Sequence, residues 1–119
     1  LGVAIGLPAA GVLTVNNHRD RVEDARNGRR TLAILVGVRG AKILYALELL
    51  AAVGLAAAAM GATRGALIVA VGVLPAGVLA IHLAHMPIGR ELNGRLAATA
   101  GFQILLAGLI ALALLGGFA

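Results

Sequence analysis

The 119 residues contain no cysteine, no tryptophan, one tyrosine and two phenylalanines, and only 13% of them are charged. Without cysteine there is no disulfide framework and no thiolate metal site. With so few aromatic rings there is no stacking platform for bases, and binding to nucleic acid is excluded. The scarcity of charge leaves 61% of the chain hydrophobic, with a mean hydropathy of +0.99. Soluble domains run nearer half apolar and a quarter charged. A soluble fold of this length has no core large enough for that surface, whereas lipid accepts it. The composition is that of an integral membrane protein.

The net charge of +5 is concentrated. Seven of the ten basic residues lie between Arg19 and Lys42, as expected of a cytoplasmic loop under the positive-inside rule. Around that segment the sequence predicts an all-α bundle of four spans at about 1–15, 43–62, 66–86 and 96–115. The first is shorter than the roughly 20 residues a spanning helix needs, so it reads as a truncated span. On that reading residues 1–119 are the C-terminal part of a single membrane-embedded domain in a longer protein. Thr63-Arg64-Gly65 joins the second and third spans as a tight antiparallel pair. Placing 16–42 and 87–95 in the cytoplasm, and 63–65 outside, satisfies the charge rule. Gly72, Pro75 and Gly77 interrupt the third span, which membrane helices tolerate when neighbours re-satisfy the freed backbone. Abundant Gly and Ala let the helices approach closely.

The chemistry is concentrated in the polar segment. Asn16, Asp20 and Asp24 stand at i, i+4 and i+8, drifting about 40° per step, so a helix projects all three from one face. Hard oxygen ligands in that pattern suit Mg²⁺, which takes one or two carboxylates and completes its shell with phosphate and water. Arg29 and Arg30 follow, and guanidinium groups grip phosphate oxygens. The reading is a magnesium–diphosphate site at the membrane surface, with Asn16, Asp20 and Asp24 as metal ligands, Asp20 and Asp24 as catalytic acids, and Arg29 and Arg30 on the diphosphate. The plainer alternative is a solvated juxtamembrane loop whose arginines determine topology.

The string Asn16-Asn17-x-Arg19-Asp20-x-x-x-Asp24-x-x-x-Gly28-x-Arg30-Thr31-Leu32-Ala33, with Gly37 beyond it, resembles the second Asp-rich motif of the UbiA-superfamily prenyltransferases. It is most similar to the branch that acts on 1,4-dihydroxy-2-naphthoate in menaquinone synthesis. Arg29 stands where Lys is usual there, and Glu91-Leu92-Asn93 with Leu96-Ala97-x-Thr99 resembles that branch's last cytoplasmic loop. The resemblance implies a bundle of about nine helices, of which these are the last four, in the plasma (inner) membrane. It implies that two Asp-rich loops hold Mg²⁺ and a polyprenyl diphosphate, whose allylic carbon alkylates an aromatic acceptor. In this branch the ring carboxylate leaves as carbon dioxide, giving demethylmenaquinone. No second Asn-x-x-x-Asp-x-x-x-Asp occurs in the sequence, so the opposing loop is expected from N-terminal helices outside it.

Other polar residues are open to more than one reading. Glu48, the lone acid within a span, is either a functional intramembrane group or a partner of Lys42, Arg39 or a neighbouring helix. Tyr45 lines a cation pocket or, better, sits as an interfacial anchor. His82 and His85, at i and i+3, lack a third ligand and read as anchoring or packing residues, and His18 is given no role. Two other functions compete: prenyl transfer to a hydroxybenzoate- or homogentisate-type acceptor, and a transporter or structural segment with a broken helix at Gly72–Gly77.

Overall fold

The computed structural model describes residues 1–118 and is all-α. Six helices follow one another: α1 (Gly2–Arg19), α2 (Arg21–Arg26), α3 (Leu32–Ala59), α4 (Arg64–Ala70), α5 (Val73–His85) and α6 (Leu92–Leu115). Three helical stretches are long and apolar enough to cross a membrane: Leu32–Ala59, Arg64–His85 and Leu92–Leu115. The 18 residues of α1 extend about 27 Å at 1.5 Å per residue, a little short of the hydrocarbon thickness. The bundle is elongated, 52 × 22 × 18 Å.

Each long helix buries one narrow stripe. On α1 it is Ala4, Pro8, Gly11, Val15 and His18; on α3 it is Ala41, Tyr45, Leu49, Ala52 and Ala56; on α6 it is Leu92, Thr99, Phe102, Leu106, Ile110 and Ala113. Steps of three and four residues place each set along one side of its helix. The remaining apolar side chains point outward, as with Leu67 at 71% and Ile104 at 75% exposure, and lipid is the solvent that accepts them. Small residues in the stripes bring the backbones together. A Cβ on Gly11 would lie 3.4 Å from Leu49 and 3.5 Å from both Tyr45 and Thr99, so α1 is pressed into the seam between α3 and α6.

The expectation of a loop over 16–42 is corrected. Helix α1 continues through Asn16 to Arg19, α2 follows at once, and α3 begins at Leu32, eleven positions before the predicted span. Thr31 is the reason for the early start: its backbone is extended and its hydroxyl accepts from the Ile34 N–H at 3.4 Å, an N-cap that opens a helix wherever apolar residues follow. Gly37, at φ 73°, then bends α3 in a conformation that costs any other residue energy.

The other boundaries differ less. The turn between the second and third spans is Met60–Thr63 rather than 63–65. Gly61 (φ 66°) closes α3, and the Thr63 hydroxyl donates to the Met60 carbonyl at 2.9 Å. The third span breaks at Val71–Gly72, where Pro75 lacks the N–H that would reach Val71 and the chain makes i−3 bonds, Gly72 to Val69 at 3.0 Å and Leu74 to Val71 at 3.2 Å. Val53 and Leu109 pack against this break. Both are apolar, so the break is packed into the hydrophobic interior of the bundle.

The connections sort the polar residues to the two ends. At one end Lys42 caps α5 by donating to the Ala84 and Met86 carbonyls, both at 2.9 Å, beside α2 and the first turn of α6. At the other, the Gly65 N–H meets the Phe118 carbonyl at 2.8 Å.

Candidate functional site

The polar segment is built around the junction of α1 and α2. Asp20 sits between the two helices at φ −89°, ψ 3°, in the bridge region where a helix changes direction without losing its hydrogen bonds. The Asp20 N–H bonds to the Asn16 carbonyl at 3.0 Å, and the Asp24 N–H to the Asp20 carbonyl at 2.9 Å. Asn16, Asp20 and Asp24 therefore stand one hydrogen-bonded turn apart despite the change of helix.

Gly28 then turns the chain back. At φ 72° it ends α2 in a Schellman arrangement: its own N–H reaches the Ala25 carbonyl at 3.2 Å and the Arg29 N–H reaches the Asp24 carbonyl at 2.9 Å. Folding Arg29 over Asp24 lets its guanidinium donate to Asp24 Oδ1 at 3.0 Å. Asp24 is buried at 5% exposure, whereas the Arg29 side chain is 70% exposed. Arg30 is exposed and makes no side-chain hydrogen bond or ion pair among the described residues.

Arg19 is the residue that gathers the site. Its Nε donates to Asp20 Oδ1 at 2.6 Å and its Nη2 to Asp20 Oδ2 and Asn16 Oδ1, both at 2.8 Å. Its Nη1 donates to Asn93 Oδ1 at 2.6 Å, across 74 positions of sequence. The Arg19 hydrogen bond, opposed by partial burial and reinforced by the charges of Arg19 and Arg29, holds the Asp20 carboxyl below its usual range. Asp20 is thus a firm anion. Arg19 within the motif and Asn93 in the 87–95 segment were both visible in the sequence, but nothing in a spacing of 74 signals that they touch.

A stacked pair of polar contacts lies deeper. Thr14 Oγ1 donates to Glu48 Oε1 at 3.0 Å, while Glu48 Oε2 is enclosed without a partner. Glu48 therefore faces α1, and Lys42, occupied with α5, is not its partner. Tyr45 is fully buried, its hydroxyl 2.7 Å from Thr99 Oγ1, which corrects its reading as an interfacial anchor. His82 Nδ1 accepts from Arg95 at 3.2 Å and His85 Nδ1 meets the Ile81 carbonyl at 2.8 Å, so the two rings do not converge. His18 is enclosed, with neither ring nitrogen hydrogen-bonded among the described residues. An open cleft of about 390 Å³ beside α2 is lined by Arg21, Val22, Ala25, Arg26 and Ile34, and so does not include the acidic oxygens.

No group of three or more His, Asp or Glu able to enclose a metal occurs among the described residues. The donor set nevertheless fits Mg²⁺, which needs no closed cage. Asn16 and Asp20 already converge their oxygens on one cationic group, the Arg19 guanidinium, and Asp24 lies one turn beyond.

An all-helical bundle with apolar outer faces, and with paired aspartates and arginines at one end, defines a multi-pass membrane protein. Over residues 1–97 the sequence matches the UbiA prenyltransferase family, and the chain belongs to it. Its members are enzymes that transfer prenyl groups to aromatic acceptors. No curated protein and no solved structure gave a match.

Proposed function

We propose that this chain carries the second acidic arm of a Mg²⁺-dependent prenyltransferase acting on 1,4-dihydroxy-2-naphthoate. The C1 carbon of a polyprenyl diphosphate separates from its diphosphate, and the acceptor ring carbon forms the new C–C bond. The ring carboxylate leaves as carbon dioxide and the ring keeps its hydroquinone oxidation level, giving demethylmenaquinol, the reduced form of demethylmenaquinone. The observation that carries the reading is the convergence of Asn16 and Asp20 oxygens on one positive group, one turn from the buried Asp24.

Asn16, Asp20 and Asp24 would hold the metal, which supplies neutralisation of the diphosphate charge as it departs. Asp20, kept ionised by its surroundings, is ready to bind a cation without releasing a proton. Arg29, exposed and held by a single ion pair to Asp24, is free to turn to a diphosphate oxygen, and Arg30 beside it has no competing acid. The preference for the naphthoate over a hydroxybenzoate- or homogentisate-type acceptor rests on Asn16-Asn17 and on Arg29-Arg30-Thr31.

A second Asn-x-x-x-Asp-x-x-x-Asp is not present in residues 1–119, so in this reading the opposing arm comes from helices elsewhere in the protein. In this reading the membrane is the plasma (inner) membrane, and the clustering of basic residues at the α1–α2 end supports a cytoplasmic placement of that end. The test is turnover by the enzyme containing this chain, with radiolabelled polyprenyl diphosphate, dihydroxynaphthoate and Mg²⁺. Asp20→Ala and Asp24→Ala should each lower kcat by at least about a hundredfold, the scale of losing an electrostatic stabiliser of the transition state. Wild-type turnover in either variant discards the assignment.

A further inference from the structure

Four of the five N–H groups of the Arg19 guanidinium are spent on three side chains: both oxygens of Asp20, the amide oxygen of Asn16, and Asn93 Oδ1 on the first turn of α6. The rigid fork of guanidinium matches such a set, which an ammonium could not span. Two of these three acceptors are the groups assigned above to the metal, and the inference rests on that assignment. A Mg²⁺ ion binds oxygen at about 2.0–2.1 Å. With Arg19 nitrogens at 2.6–2.8 Å from the same oxygens, a bound metal and the guanidinium would stand within about 5 Å of one another, where like charges repel strongly. The two cations therefore compete for the same oxygens.

We infer that Arg19 is a cation placeholder: in the metal-free protein its guanidinium fills the oxygen pocket of Asn16 and Asp20 and ties it to Asn93, and metal entry expels it. The arrangement keeps two oxygen donors gathered, in metal-coordinating order, when no metal is present. Like charges would otherwise push Asp20 away from Asp24 and Glu23. It also connects the site to a remote element. Leu92, fully buried, plants the start of α6 against the bundle, so Asn93 is presented at a fixed height beside α1. When Arg19 leaves, Asn93 loses its partner and the α5–α6 connection (residues 86–91) is released from the motif. The arriving diphosphate offers phosphate oxygens to which the displaced guanidinium can pass. Arg29 differs in kind, since it holds the buried Asp24 through one N–H and is itself 70% exposed, so it can turn away without breaking a network.

The plain alternative is that Arg19 is only a tie between α1 and α6. A tie contributes stability and leaves metal affinity alone, whereas a placeholder competes with the metal. Mn²⁺ binding to the enzyme in zwitterionic nanodiscs, without diphosphate, separates the two through the loss of the free-Mn²⁺ EPR signal. Arg19→Gln should bind Mn²⁺ about tenfold more tightly than wild type, the scale of releasing one charge-assisted interaction. Asn93→Ala, which removes one anchor of the placeholder and leaves both ligands in place, should tighten binding by about threefold and reads the same effect if Arg19→Gln does not fold. A spin label at Arg90→Cys, with any cysteine outside residues 1–119 replaced, should become more mobile when Mn²⁺ is added. Unchanged or weaker binding in Asn93→Ala and in any folded Arg19→Gln, with binding abolished in Asp24→Ala, overturns the placeholder and leaves the proposed function standing. Wild-type binding in Asp24→Ala removes the ligand assignment, and the placeholder with it.

Discussion

The hydroxyls of Tyr45 and Thr99, on α3 and α6, lie 2.7 Å apart in a seam where both residues are completely buried. Thr99 Oγ1 also lies 2.6 Å from the Arg95 carbonyl. A carbonyl only accepts, so the single Thr99 proton goes to Arg95 and Tyr45 is the donor of the pair. Tyr45→Phe leaves Thr99 with a satisfied donor and one idle lone pair, and should cost about 0.5–1.5 kcal/mol. Thr99→Val strands the buried phenol, and should cost more, about 1–3 kcal/mol. The double variant should cost less than the two together. Reversible unfolding in bicelles measures all three, and strict additivity would show that the hydroxyls do not interact.

Gly28 is required by its backbone. At φ 72° a side chain clashes with the following carbonyl, so Gly28→Ala should cost about 1–2 kcal/mol locally. Nothing else in the fold crowds the position, so the penalty is confined to this local backbone strain. Because this turn carries Arg29 back over Asp24, the variant should raise the KM for polyprenyl diphosphate, while Arg29→Lys, which keeps the charge, should raise it less. A Gly28→Ala enzyme with unaltered KM would separate the turn from the diphosphate.

His18 sets an acid limit. Burial first, and then the charges of Lys42 and Arg21, depress its basicity in the fold. The unfolded chain thus takes up a proton at a pH where folded His18 does not, and stability rises with pH across that window. The contribution is complete above about pH 6.5, the ordinary imidazole value, and is lost as pH falls below it. His18→Leu should flatten thermal stability between pH 7 and pH 5. An acid limb as steep in the variant as in wild type would assign it to other groups.

Topology follows from the ends of α3. Asn27 and Thr63 flank a helix of 28 residues, long enough to cross the bilayer. Single cysteines at the two positions should react with a membrane-impermeant maleimide from opposite faces of oriented vesicles, Asn27→Cys from the cytoplasmic face. Labelling of both from one side would refute the crossing.

Several features were legible along the chain because their physics is local. Hydropathy needs only composition, so the apolar spans and their lipid surroundings followed from 61% hydrophobic content. The acidic motif was legible because a helix repeats every 3.6 residues, and the backbone bonds from Asn16 to Asp20 to Asp24 keep that phase across the junction. Even the glycines at 28 and 37 were marked as motif positions, although their left-handed conformations were not.

The extent of helix within 16–42 was misjudged for a reason that is also local. Charge density suggests a loop, but the Thr31 cap and the apolar run after it start α3 at Leu32, and helical propensity does not exclude Arg, Glu and Asp from α1 and α2. The pairings of Arg19 with Asn93, Tyr45 with Thr99 and Thr14 with Glu48 belong to another level. Each joins residues 34 to 74 positions apart, and no periodicity encodes such a distance. They depend on how deeply α1 sinks between α3 and α6, which Gly11 and the small residues of three stripes decide together. What the sequence alone determined is which residues prefer lipid and which carry oxygen or charge, since side-chain chemistry and helical pitch suffice for that. Only the packing of the helices decided which oxygen meets which guanidinium, because a hydrogen bond depends on tenths of an ångström and those are set by contacts between helices.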